Sequence, residues 1–233
     1  MEEALKYFRI YDNDKYPRAE EVEDEMLFAD SITCRKDKEH YRPGNRIGNL
    51  IINLPTSKIG DFIWTLYSDC LITDKVAGLF RKAKFTGYEL KPVTVAKVYK
   101  YHTEKDIAFI DGKAWGITKT TRDRKPKPVP PLWELVITGK GGDAHPKSGI
   151  KLKYECKTCG LTYYTGFGKG LYVDEKQWDG SDFFTIWPLP KYYLVTERVR
   201  NFVEENKLTN CKFTPIEELI GKGRGGSLSP GPR

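Results

Sequence analysis

The stretch of this sequence best placed by residue type and spacing to do chemistry is Cys156-Lys-Thr-Cys159, with Gly160 directly behind it. Two thiols two residues apart, in a tight turn, aim both sulfurs at one point and make half of a tetrahedral zinc site. The other half must come from elsewhere in the chain. Cys34 and His40, in Cys34-Arg-Lys-Asp-Lys-Glu-His40, are the candidates, although their spacing is not that of a standard knuckle. Cys34, His40, Cys156 and Cys159 would then form a closed structural zinc site; the alternative is two reduced thiols in a turn. No His/Glu helix motif supplies an open coordination position, so a catalytic metal is not expected. The C-x-x-C also lacks the preceding apolar strand and following helix of a thioredoxin-like redox pair.

Other stretches admit chemistry less readily. Gly166-Phe-Gly-Lys-Gly170 has no Ser or Thr after its lysine to open a helix under a phosphate, and it reads as a glycine-rich hairpin. The three histidines are isolated from one another, no Gly-x-Ser-x-Gly elbow is present, and no catalytic residue is nominated: the expectation is a protein that is not an enzyme. Lys113, Lys119, Arg122, Arg124, Lys125 and Lys127, with Trp115 nearby, are open to two readings, a solvated loop or a nucleic-acid backbone site. Glu20, Glu21, Glu23, Asp24 and Glu25 form an acidic run that could contact a cationic partner.

The elements that would position these residues follow from length and pattern. A chain of 233 residues can bury a substantial core. Neither an export signal nor a membrane span is indicated, and five scattered cysteines point to reduced thiols, so a soluble cytoplasmic protein is expected. The formal charge is +7, yet residues 1–30 carry ten acidic and four basic residues, a net of −6 that leaves +13 for the remainder.

The strongest organising signal is internal. LITDKVAGLFRKAKFTGYELKPV (71–93) matches LVTERVRNFVEENKLTNCKFTPI (194–216) role by role. Each copy has a strand end, a threonine placed to N-cap (Thr73, Thr196), an acidic residue beside the helix dipole (Asp74, Glu197), and one apolar face. Val76, Leu79, Phe80 and Ala83 supply that face in the first copy, and Val199, Phe202, Val203 and Asn206 correspond in the second. Gly87 and Asn210 are placed to stop the helices, and Pro92 and Pro215 punctuate the strands that follow. Gly60-Asp-Phe-Ile-Trp64 and Gly180-Ser-Asp-Phe-Phe184 introduce the two units. The expected fold is mixed α/β of the α+β kind, two strand-helix-strand pseudo-repeats with intervening antiparallel strands, including 93–101 and 132–139 and a tight turn at Asp111-Gly112. The expected division is an N-terminal half (1–120, first unit 69–101), a basic proline-rich connector (121–131), a C-terminal half (132–220) and a flexible tail (221–233). Cys70, Cys211, Trp64, Trp178 and Trp187 fall in or beside the repeat units and read as core.

Tyr7-Phe-Arg-Ile10, a cysteine near residue 34, Gly-Asp-Phe-Ile-Trp at 60–64, a strand-helix unit, LWEL before Gly141-Gly142, C-x-x-C-G, Ser-Asp-Phe-Phe at 181–184 and Thr-Glu-Arg-Val at 196–199 occur in this order. In that order they resemble the double-CxxCG motif immunity proteins, a myxobacterial paralogous group related to the immunity families of bacterial polymorphic toxin systems. The likeness covers most of residues 5–218. It implies that Cys156 and Cys159 are the second CxxCG and that the first, near Cys34, has lost its second thiol and its glycine, with His40 a replacement ligand. It also implies a non-catalytic cytoplasmic antidote that binds the C-terminal toxin domain of a cognate toxin, needs no cofactor beyond a structural zinc, and touches no membrane. The alternative is a basic nucleic-acid-binding protein with a zinc-ribbon-like half site.

Overall fold

Residues 6–42, 44–99, 109–110, 113–114 and 128–221 are described in a computed structural model of the chain. Among them the fold is α+β, mostly strands, with two α-helices. Nine strands precede the first helix: β1 (Tyr7–Tyr11), β2 (Glu20–Glu21), β3 (Leu27–Ala29), β4 (Ile32–Thr33), β5 (Tyr41–Arg42), β6 (Asn45–Ile47), β7 (Leu50–Leu54), β8 (Phe62–Trp64) and β9 (Cys70–Thr73). There follow α1 (Asp74–Ala83), β10 (Tyr88–Val98), β11 (Phe109–Ile110), β12 (Lys113–Ala114), β13 (Leu132–Ile137) and β14 (Gly139–Asp143). The chain continues with β15 (Leu152–Glu155), β16 (Thr162–Tyr164), β17 (Phe183–Trp187), β18 (Leu189–Thr196), α2 (Glu197–Glu205) and β19 (Lys212–Pro215).

Two mixed sheets carry the body. One has the order β2-β7-β10-β13-β9-β8, with only β7 and β10 parallel; the other has the order β14-β17-β18-β1-β19, with only β14 and β17 parallel. Each sheet takes one interior strand from a distant part of the chain. β13 lies antiparallel between β9 and β10, and β1 lies antiparallel between β18 and β19. Both hairpins that precede a helix, β8-β9 and β17-β18, are antiparallel.

Both helices turn their apolar faces into the same core as the two sheets. Val76, Ala77 and Phe80 of α1 and Val199 and Val203 of α2 are buried there with Phe8, Ile10, Phe62, Ile72, Leu135 and Val195. Phe80 is the hub: its ring meets Phe62, Phe85, Tyr88, Phe183 and Phe202 at centroid distances of 5.3 to 6.4 Å. Cys70 is fully buried in this core and Cys211 packs against it, as small apolar residues do. Trp64 is buried there too, and Trp178 packs in a second core under β17 and β18.

Three local expectations are corrected. Thr73 and Thr196 occupy the N-cap positions, but neither hydroxyl caps a helix; Thr196 Oγ1 instead reaches Asp182 at 3.3 Å. The helices stop before Gly87 and Asn210. α1 ends on Lys84, whose φ is 53°, and α2 runs into Asn206, with Lys207 at φ 52°; Gly87 and Asn210 take positive φ further along, in the loops. Pro92 does not end β10 but marks where it changes neighbour, from antiparallel β13 (Tyr88 to Pro92) to parallel β7 (Val93 to Val98). A residue without an N–H fits there, since it owes no ladder bond. The turn at Asp111-Gly112, residues 121–127 of the connector and the tail after Gly221 lie outside the described residues, as do Lys119, Arg122, Arg124, Lys125, Lys127, Trp115 and His102.

What joins the two halves is a reciprocal exchange. Asp61, in front of β8, accepts from the backbone N–H (2.9 Å) and hydroxyl (2.8 Å) of Thr209 in the loop after α2, and its own N–H donates to Thr209 Oγ1 at 3.0 Å. Asp182, in front of β17, makes the same three bonds with Thr86 in the loop after α1, at 3.0, 3.2 and 3.1 Å. A cation from the first turn of a helix closes each set: Lys75 on Asp61 at 3.0 Å and Arg198 on Asp182 at 2.8 Å. Burial pushes the Asp61 carboxyl up, but the bonds from Lys75 and Thr209 outweigh it and leave the group titrating below an ordinary aspartate.

Replacing Asp61 or Asp182 by Ala leaves a threonine hydroxyl and N–H without their acceptor and is expected to cost about 1–3 kcal/mol in urea unfolding. Because the folded pKa of Asp61 is depressed, its contribution is complete above the unfolded value of about 3.9 and fades as pH falls through the lower folded value. Asp61→Asn should therefore lose less stability than wild type between pH 7 and pH 3. Equal losses would show that the carboxylate carries no charge-dependent share.

Candidate metal centre

Two antiparallel pairs make the first ribbon, β3 with β6 and β4 with β5, from Leu27 opposite Ile47 to Thr33 opposite Tyr41. At its tip Cys34 stands opposite His40, with the Cys34 N–H donating to the His40 carbonyl at 3.0 Å. The segment that looks least like a knuckle is therefore a hairpin end that places two ligands side by side. β15 and β16 form a second ribbon, which ends in the Cys156–Gly160 turn. There the Cys156 N–H donates to the Leu161 carbonyl and the Gly160 N–H to the Cys156 carbonyl, both at 2.7 Å; Gly160 has φ +68°, which only glycine adopts without strain.

The two tips meet. Cys34 Sγ lies 3.9 Å from Cys156 Sγ, and Cys159 Sγ lies 3.9 Å from His40 Nδ1. All four ligand atoms fall within 4.8 Å of one another. A tetrahedron with metal–sulfur bonds of about 2.3 Å has sulfur–sulfur edges of about 3.8 Å, so the four atoms already stand near the corners such an ion requires. The structure thus unites the four residues singled out by sequence, and they could hold a metal ion.

The surroundings prepare these atoms for ligation. Cys34 and Cys156 are buried against Leu161, with Cys159 and Tyr163 packed alongside. The Cys156 thiol is pulled down to about 5, chiefly by the backbone N–H groups of Cys159 and Thr158 directed at its sulfur; burial works the other way, and His40 and Cys159 add to the lowering. Cys159 shifts upward, first through burial. The shift favours the Cys156 thiolate, the form that binds metal.

Sequence reasoning missed the support around His40. Asp37 Oδ2 lies 3.3 Å from His40 Nε2, while Asp37 Oδ1 accepts the Glu39 N–H at 3.0 Å. A carboxylate beside Nε2 favours a proton on that nitrogen, which would leave Nδ1 available to a metal ion among the sulfurs. Tyr154 and Tyr163 set their ring edges against the imidazole at 5.8 and 6.3 Å and stack on each other at 5.6 Å. The available signal was Asp37, three residues before His40, a carboxylate within reach of a ligand histidine.

The other nominated residues lie elsewhere. Glu20 and Glu21 form β2 at the edge of the six-stranded sheet, and Glu23, Asp24 and Glu25 make a single 3-10 turn at the foot of the first hairpin. His145 caps its own 3-10 turn by accepting the Lys147 N–H at Nδ1. Gly166–Gly170 is a loop tied to residues 219–221 by the bonds Gly170 N–H to Leu219 and Gly221 N–H to Gly168, and no helix follows its lysine. No family model matches the sequence, and no curated protein resembles it closely enough to count as a relative.

The purified protein is expected to take up one Co(II) per chain with the visible bands of a tetrahedral thiolate-imidazole site, and Cys156→Ser should abolish them. Asp37→Asn should keep the stoichiometry while weakening affinity about 10- to 100-fold. An unchanged affinity would remove Asp37 from the site.

Proposed function

We propose that this chain is an immunity protein: a non-catalytic binding protein, built on a duplicated strand-helix-strand unit and stapled by one structural zinc ion, that neutralises a cognate toxin by direct contact in the cytoplasm. The observation that carries the reading is the meeting of Cys34 and His40 with Cys156 and Cys159. The ordered motifs resemble the double-CxxCG immunity proteins, and the resemblance implies one site drawn from two separated segments, with His40 in place of the lost thiol. Three sulfurs and one imidazole fill a tetrahedron, which suits an ion that holds loops together rather than one that binds substrate.

Two observations support the duplication. β8-β9-α1-β10 and β17-β18-α2-β19 follow the same order and pairing, each around a borrowed antiparallel strand. Asp61, Lys75 and Thr209 mirror Asp182, Arg198 and Thr86. A rigid core of this kind leaves loops and hairpins free to carry recognition, and neutralisation requires affinity rather than bond-breaking.

The test is capture of the tagged full-length chain from its native cell, washed at high salt, with partners identified by mass spectrometry. Near-stoichiometric recovery of one toxin or its C-terminal domain is the expected result. Recovery of nucleic acid alone, lost as salt rises, would overturn the reading in favour of a basic nucleic-acid-binding protein.

A further inference from the structure

The hairpin whose tip carries Cys34 and His40 leaves apolar surface in solvent at its foot. Leu27 and Ile47 are direct cross-strand partners, so their side chains share one face of the ribbon, and they are 70% and 56% exposed. The neighbouring pair, Phe28 and Arg46, alternates to the other face, and Arg46 reaches inward to an ion pair with the buried Glu134 of β13. That buried pair fixes which side of the ribbon meets the body. The Leu27–Ile47 side therefore faces out, and a solvated antiparallel ribbon ordinarily puts polar residues there.

The rim of this patch is acidic. Glu23, Asp24 and Glu25 immediately precede β3 and are exposed. Tyr67, 60% exposed, donates its backbone N–H to Glu21 at 3.2 Å, which brings the β8-β9 turn up to the same edge. Among the described residues none of Glu23, Asp24 and Glu25 is in an ion pair with a lysine or arginine. The patch is thus negative on a chain whose formal charge is +7.

We infer that the outward face of this hairpin, Leu27 and Ile47 with the carboxylates of Glu23, Asp24 and Glu25, is the docking surface for a protein partner whose own face is basic around an apolar centre. Charge complementarity selects the occupant. Phosphates are repelled by three carboxylates that no lysine or arginine among the described residues pairs, and the two side chains at the centre of the patch are aliphatic. A protein face that sets lysines or arginines against the rim and an apolar side chain between Leu27 and Ile47 satisfies both features, with an apolar centre inside a charged border. The inference deepens the immunity reading and rests on it, since it assigns the toxin a cationic contact face.

The test places the photo-crosslinker p-benzoylphenylalanine at Leu27 or Ile47, and at Lys82 and Glu205 on the two helices as controls, in the full-length chain expressed in its native cell. Both patch positions are largely exposed, so folding is unaffected, which near-UV circular dichroism checks. The expected result is one basic protein crosslinked at 27 and 47 and not at the controls. The adduct should fall about tenfold or more in the triple variant Glu23→Lys, Asp24→Lys, Glu25→Lys. If that protein is the toxin recovered by capture, both readings stand; if it is a basic protein of another kind, the surface stands and the immunity reading falls. Absent adducts, equal adducts at the controls, indifference to charge reversal, or a crosslink to RNA or to a second copy of this chain would overturn the surface. Toxin capture in those cases would keep the immunity reading and move the contact to another face.

Discussion

The paired aspartate–threonine exchange is the constraint on which the rest of the molecule depends. Asp61 holds the loop after α2, and Asp182 holds the loop after α1, so each half fixes the point at which the other half's helix turns back into a strand. Those loops lead directly into β10 and β19, the strands that enclose the borrowed β13 and β1. The bonds also carry backbone register: Phe62 N–H donates to the Thr209 carbonyl and Phe183 N–H to the Thr86 carbonyl, both at 3.1 Å. With this geometry set, the aromatic rings around Phe80 have one way to pack, because Phe62 and Phe183 come from the two residues that follow the aspartates.

The candidate metal centre bears on a different weakness. Both ribbons that meet there are two-stranded, and an isolated two-stranded hairpin is marginal in water because it buries so little. The first is anchored at its foot by Arg46 on Glu134, and the second by Trp187 Nε1–H on the Tyr164 hydroxyl at 3.0 Å. Between those anchors and the tips, the small cluster of Cys34, Cys156 and Leu161 supplies little apolar area. A metal ion held by the four ligands would replace the core that the ribbons lack. Such a linkage would also close a very long loop, since Cys34 and Cys156 are 122 residues apart.

Legibility in the sequence followed the range of the forces involved. The helix faces could be read because burial at i, i+3 and i+4 is a local pattern: Val76 and Phe80 in α1, and Val199 and Val203 in α2, all face the core. The helix ends could not. Lys84 and Lys207 take the left-handed turn that Gly87 and Asn210 seemed to claim, because the aspartates hold the following loops and demand positive φ at two places in each. Thr73 and Thr196 looked like caps, but neither hydroxyl bonds a helix N–H and that of Thr196 turns to Asp182, an interaction invisible from neighbouring residues. The four ligands were named from residue type. Asp37 was missed because its place three residues before His40 gives reach alone, and only the fold of the turn after Cys34 brings the aspartate back to the imidazole.

The borrowed strands set the order in which the chain can mature. β1 leaves the ribosome well before both its neighbours, β18 and β19, and Cys34 and His40 before Cys156 and Cys159. In the interval the nascent chain carries an unpaired apolar strand, and the sheet around β1 cannot close until β19 has emerged. A topology dominated by such distant pairings also folds slowly once complete. The chain must consequently stay unaggregated through an interval set by the distance from β1 to β18, and any metal ion at the four ligands could be enclosed only after Cys159 has emerged.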